Sequence, residues 1–225
     1  MKAPVILNLI LKDSWLNIRV ITLCMIGGVA ALSVVLIGGQ TPFVLGAGFF
    51  FISMIFCASF LPMSNIVNER KKQTLAFMMS LPISPAQYGI AKLISTLGMF
   101  LIPWMALMVA AFYMVLGRHV LPNGVIPIML ILATVPFIGF CLITGTAVVG
   151  ESEGWAIAAT ATVNSTYWVA WYLLASYAPS LTRSWNGPAA VWSRAAVNIV
   201  GAEFALIVMV LFLTMLLQSR KHDFV

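Results

Sequence analysis

Six apolar runs, each long enough to cross a bilayer, constrain this chain more than any other feature. They cover roughly Val20 to Gly38, Val44 to Val67, Gly89 to Leu116, Val125 to Val149, Trp155 to Ala178 and Val197 to Leu217. A helix needs about 20 apolar residues to span the hydrocarbon. Barrel strands alternate polar and apolar over about ten residues, so continuous runs of this length exclude a barrel. With 62% hydrophobic and 8% charged residues, the chain has more apolar surface than a soluble domain of this size buries. The expectation is an all-α membrane protein whose residues 1–225 form one transmembrane domain of six helices in the lipid bilayer.

The basic residues set a predicted orientation. With the N-terminus inside, Lys2, Lys12, Arg19, Arg70, Lys71, Lys72, Lys92, Arg220 and Lys221 face the cytoplasm, nine against the three of Arg118, Arg183 and Arg194. Cytoplasmic flanks of membrane proteins are enriched in Lys and Arg, so both termini are expected inside. The net charge of +6 follows from the same asymmetry and from attraction to anionic lipid, with no need for nucleic acid.

Three segments outside the spans have a pattern of their own. Residues 1–19 place Leu7, Leu11, Trp15 and Ile18 on one helical face and Asn8, Lys12 and Arg19 on another, which predicts an amphipathic interfacial helix. Asp13 and Asn17 fall away from that polar side. Residues 68–88 open with the charged run Glu69-Arg70-Lys71-Lys72, continue through an apolar patch at Leu75, Met78, Met79 and Leu81, and stop at Pro82. Ser84-Pro85 then predicts a new helix with proline in its first turn. Residues 179–196 contain two prolines, Trp185, Trp192 and two arginines, and predict a pair of short helices dipping into the outer leaflet.

Within the spans, Pro62 and Pro103 predict kinks, and Gly27, Gly28, Gly46 and Gly48 predict close helix contacts. The fifth span is the most polar: Thr160, Thr162, Asn164, Ser165 and Thr166 lie at its middle and either bond between helices or line a wet path. Glu151 and Glu153 precede it, as caps or as a contact for a cytoplasmic partner. Glu203 is the lone acid expected inside the membrane, either a functional group or the partner of Arg183 or Arg194. Cys24, Cys57 and Cys141 lie in spans, so a disulfide framework is not expected.

Enzyme chemistry finds no support. No phosphate-binding G-x-x-x-x-G-K-[ST] loop is present, His119 and His222 lie outside the spans, and no cluster suggests a metal or cofactor.

The order Glu69, basic residues, Thr74-Leu75, Leu81-Pro82, Ser84, Tyr88 and Lys92 resembles the signature between spans two and three of ABC-2 type transporter permeases, the membrane subunits of type V-like ABC exporters. Gln73 departs from the glycine common there. An interfacial N-terminal helix, six spans and re-entrant helices before the last span are similar to that family too, so the resemblance covers the whole chain. It implies a permease subunit of an ATP-driven exporter in a bacterial-type plasma membrane, working as a homodimer or heterodimer with separate ABC ATPase subunits that hold ATP and Mg²⁺. It also implies that Glu69, Arg70, Lys71, Thr74, Leu75, Met78, Met79, Leu81 and Pro82 form a coupling helix docking on the ATPase, and that Thr162, Asn164, Ser165 and Thr166 face the path or the dimer interface. A haem-exporter-type permease of cytochrome c biogenesis is the alternative within the class. A non-transporting membrane scaffold or immunity protein is the alternative outside it.

Overall fold

The computed structural model describes residues 3–71, 85–150, 152–177 and 187–220, and among them all regular structure is helical. Helix α1, Ala3–Leu16, is about 21 Å long at 1.5 Å per residue, too short to cross the hydrocarbon. Its Leu7, Leu11, Trp15 face is exposed, and the exposure continues at Ile18, as expected of a helix resting on lipid.

A turn at Asn17 separates α1 from α2, Ile18–Leu36. Gly38 and Gly39, at φ of 80° and 92°, then reverse the chain through backbone conformations that side chains disfavour. Helix α3, Gln40–Pro62, returns against α2, and the pair pack closely because glycines line the seam. A Cβ on Gly46 would lie 2.8 Å from the Ala31 carbonyl oxygen, and one on Gly27 would lie 2.7 Å from Ser53 Oγ. Gly28 makes the equivalent approach to Leu107 of the third span. Gly48 departs from expectation, since a Cβ there would meet nothing within 4 Å.

The proline at the end of α3 changes the helix rather than stopping it. Pro62 has no N–H to donate one turn back, and Met63–Val67 form a π-helical turn whose last bond runs from the Asn68 N–H to the Met63 carbonyl. The four residues of α4, Asn68–Lys71, follow. Helix α5, Pro85–Leu116, carries Pro85 in its first described turn and continues through Pro103. A 3-10 turn at Asn123–Val125 leads into α6, Ile126–Val149. Helix α7 is Glu153–Tyr177 and α8 is Arg194–Ser219, capped by the Ser193 hydroxyl accepting from the Ala196 N–H.

Among the described residues five helical stretches are long and apolar enough to cross a membrane: Ile18–Leu36, Thr41–Val67, Tyr88–Leu116, Asn123–Val149 and Arg194–Ser219. Helix α7 has 25 residues, a spanning length, but its central threonines, serine and asparagine keep it out of that group. Five of the six expected runs thus coincide with these stretches to within a few residues, and the fifth run in chain order falls on α7 instead. Cys24, Cys57, Leu61, Phe100, Phe140, Cys141 and Ile207 form the largest core cluster, and at its centre Phe100 and Phe140 stack at 4.3 Å. Trp104 adds a bond from Nε1 to the Ala133 carbonyl, 3.0 Å.

The outer segment differs from its sequence expectation. Residues 187–193 are irregular rather than helical, tied down by the Gly124 N–H donating to the Gly187 carbonyl at 3.0 Å. Pro188 explains part of this, because it lacks a donor and disfavours helical backbone before it. The rest of the expected outer helices, 179–186, lies outside the described residues.

Candidate functional site

Among the described residues the largest polar cluster is built where α1, the π turn, α4 and α5 meet. On α5, Tyr88, Lys92, Ser95 and Thr96 recur at helical spacing and form one stripe. Lys92 is 1% exposed and its ammonium lies 2.7 Å from Asp13 Oδ2 and 2.7 Å from Glu69 Oε2. Asp13, on α1, is equally buried and also accepts from Ser95 Oγ at 2.9 Å. Glu69 accepts from Lys12 Nζ at 2.7 Å and from the Tyr88 hydroxyl at 3.0 Å. Lys12, Lys92, Asp13 and Glu69 therefore balance two positive against two negative charges.

The π turn brings its own polar groups into this cluster. Lys92 Nζ donates to the Asn65 backbone carbonyl and to its Oδ1, both at 3.3 Å. Asn65 Nδ2 in turn donates to Thr96 Oγ1 at 2.7 Å and Ser95 Oγ at 3.2 Å. One residue earlier, Ser64 Oγ donates to Asn17 Oδ1 at 2.6 Å, while Asn17 Nδ2 donates back to the Asp13 carbonyl at 2.9 Å. Widened helical turns free backbone groups from the regular ladder and recur at functional sites.

Electrostatics makes this cluster a lock. Removing one member of a buried ion pair costs about 3–5 kcal/mol, because the other charge is left uncompensated. Burial pushes the Glu69 carboxyl up, but the Lys92 charge and the hydrogen bonds from Lys12 and Lys92 outweigh it and hold Glu69 below the usual carboxylate range. Partial burial lowers Lys12, and Glu69 with Asp13 more than reverse this, so Lys12 rises above its ordinary 10.5.

Of the residues assigned to a coupling helix by resemblance, Glu69 is thus the one whose contacts are described. Arg70 and Lys71 continue α4, and Thr74, Leu75, Met78, Met79, Leu81 and Pro82 lie outside the described residues. Tyr88 and Lys92, from the same signature, join Glu69 directly. Asp13 and Asn17, off the polar face of α1, point inward at this cluster, which is why that face reads as broken. The stripe 88-92-95-96 in an otherwise apolar span and the pair 13-17, each at helical spacing, were the available signals.

The fifth-span residues separate. Asn164 Oδ1 accepts from Ser59 Oγ of α3 at 3.2 Å, an interhelical bond. Thr162 and Thr166 return their hydroxyls to their own backbone at 2.8 Å and, with Ser165, face away from the rest of the chain.

Glu203 stands on α8, at the opposite end of the bundle from Lys92, and accepts from the Thr134 hydroxyl of α6. The expected pairing with Arg194 does not form: Arg194 opens the same helix, nine residues earlier and about 13 Å away along its axis. Arg183 lies outside the described residues. Among the described residues no ion pair reaches Glu203 and no three His, Cys, Asp or Glu side chains gather as a metal site.

Comparison of the chain with protein-family models, with curated proteins and with solved structures found no match.

Proposed function

We propose that the protein is a transmembrane permease subunit of an ATP-driven exporter of the ABC-2 type, with hydrolysis carried out by a separate subunit. The observation that carries this is the Asp13–Lys92–Glu69 cluster. The segment 72–84 has α4 before it and α5 after it, and Glu69 and Lys92, one from each side, are joined by a 2.7 Å ion pair. The same lysine clamps α1 through Asp13. A push on this segment would therefore move α1, α3 and α5 together rather than bending one loop. A signal from a docked ATPase requires that stiffness, and a passive loop does not.

In this arrangement Leu75, Met78 and Met79 form the docking face, where flexible, polarizable methionine suits an adaptable contact. Arg70 and Lys71 fix its angle. Helices α3 and α7, joined by Ser59 and Asn164, border the path, and α7 serves as the fifth of six spans.

The test is Met78→Asp in the complex purified from its native membrane. An unpaired charge in that contact costs about 1–3 kcal/mol, several-fold to over a hundredfold in affinity. Membrane levels should stay normal while co-purified ATPase activity and transport disappear. A mutant that keeps a stoichiometric, substrate-stimulated ATPase removes the coupling assignment. Wild-type protein that carries no ATPase at all favours the scaffold or immunity alternative.

A further inference from the structure

A cavity of about 770 Å³ opens between α3, α5, α6, α7 and α8. The residues around it lie at the start of α3, the end of α5 and the start of α6, so it sits at the end of the bundle opposite the Lys92 cluster. Its wall is apolar and rich in aromatic rings, including Phe43, Phe51 and Trp168, with Ile128 and Leu132 opposite. Among the described residues Glu203 is the sole charged side chain that lines it. Drug-sized ligands occupy pockets of about 300–1,000 Å³ that are mostly apolar with a few fixed polar groups.

We infer that this cavity binds an amphiphile with an apolar body and a single cationic head, and that Glu203 is the counter-ion for that head. A carboxylate in an apolar wall at membrane depth is costly and calls for a partner. Among the described residues the one partner in place is the Thr134 hydroxyl, which supplies a dipole and no charge. A cation completes the pair, and an anion is repelled. A wholly neutral molecule fills the volume and leaves the carboxylate as it was. The aromatic rings add to the preference, since their faces attract cations within about 6 Å. Tyr167, which is 8% exposed, lines the same wall with its ring, while its hydroxyl is buried against Gly139.

The role of this molecule as transported substrate rests on the permease assignment above. The binding itself does not, and the experiment keeps the two apart. Radiolabelled tetraphenylphosphonium is titrated by equilibrium dialysis against the purified chain in nanodiscs, with no ATPase present. The expected result is saturable binding at one site per chain, weakened at least tenfold by Glu203→Gln and not competed by the isosteric anion tetraphenylborate. Gly48 also lines the cavity and has open space around it, so Gly48→Phe fills volume without disturbing packing and should reduce binding while Glu203 stays in place. Thermal unfolding of each variant shows whether a loss of binding is a loss of fold. Equal affinity of wild type and a folded Glu203→Gln overturns the inference, as does competition by tetraphenylborate or failure to saturate. If Glu203→Gln does not fold, Gly48→Phe with full affinity overturns it alone. Binding that meets these expectations, together with a Met78→Asp variant that keeps its ATPase, would leave the cavity standing and remove only the coupling assignment.

Discussion

Among the described residues Lys92 ties together the most polar groups, because it meets an acid from α1, an acid from α4 and a carbonyl of the π turn at once. Lys92→Met should therefore destabilise the protein by up to about 3–5 kcal/mol, with the buried Asp13 left to Lys12 alone at 3.6 Å. The pair Asp13→Leu with Lys92→Met should recover most of that loss, since replacing both charges by apolar side chains is often neutral. Unfolding in mixed micelles measures both, and a double mutant no better than the single one would contradict this account. Glu69 gives the pH dependence. Its folded pKa is depressed, so its stabilisation is present above the ordinary carboxylate value of about 4.3 and is lost as pH falls through the lower folded value. Lys12 has the opposite sign: its contribution is present below 10.5 and is lost as pH rises through the raised folded value. Melting temperature against pH should therefore fall steeply on the acid side. Glu69→Gln should lower the melting temperature at neutral pH and flatten that acid limb.

At the level of elements, α2 and α3 owe their close approach to glycine, and the two glycines of α3 make opposite predictions. A Cβ on Gly46 would meet backbone, the Ala31 carbonyl at 2.8 Å and the Val35 nitrogen at 3.0 Å, neither of which can rotate away. Gly46→Ala should cost about 1–3 kcal/mol through overpacking, whereas Gly48→Ala, with nothing within 4 Å, should be neutral or gain up to about 1 kcal/mol of helix propensity. Thermal unfolding of the two variants in one detergent separates them, and equal losses would contradict the packing account. The sequence treats these glycines alike, because which side of a span faces a neighbour is not encoded in a run that is apolar all round. The extents of the spans were legible for the converse reason: hydrocarbon thickness sets their length, and Pro85, Gly38 and Gly39 mark their ends. The π turn was half legible, as a disturbance at Pro62 whose form depends on what Asn65 then bonds. Asp13 was visible only as a misfit and Lys92 only as a signature position and a basic flank, since 79 positions separate them and no periodicity links one helix to another.

For the whole molecule, the open question is what covers the outer side of α7. Among its described side chains this helix buries Ala156, Val163 and Tyr167 and leaves Thr162, Ser165, Thr166 and Trp168 exposed. Lipid can tolerate that face, because Thr162 and Thr166 satisfy their hydroxyls within the helix. Small hydroxyl side chains also let two helices approach closely in a membrane, and in the permease proposed above the face meets a second copy. The two settings differ in one measurable distance. Cysteines placed singly at Thr162 or Thr166, with Cys24, Cys57 and Cys141 replaced, should give a cross-linked dimer on mild oxidation in native membranes. A cysteine at Ile102, which is 73% exposed on the apolar flank of α5, should not, and it controls for random collision. If all three positions cross-link equally, or none does, α7 faces lipid and the dimer contact belongs to another surface. Cross-linking at Thr166 but not Ile102 places the polar side of α7 between two copies, on the same helix whose Tyr167 and Trp168 line the Glu203 cavity. Movement at the dimer contact would then reach the cavity wall through a single helix.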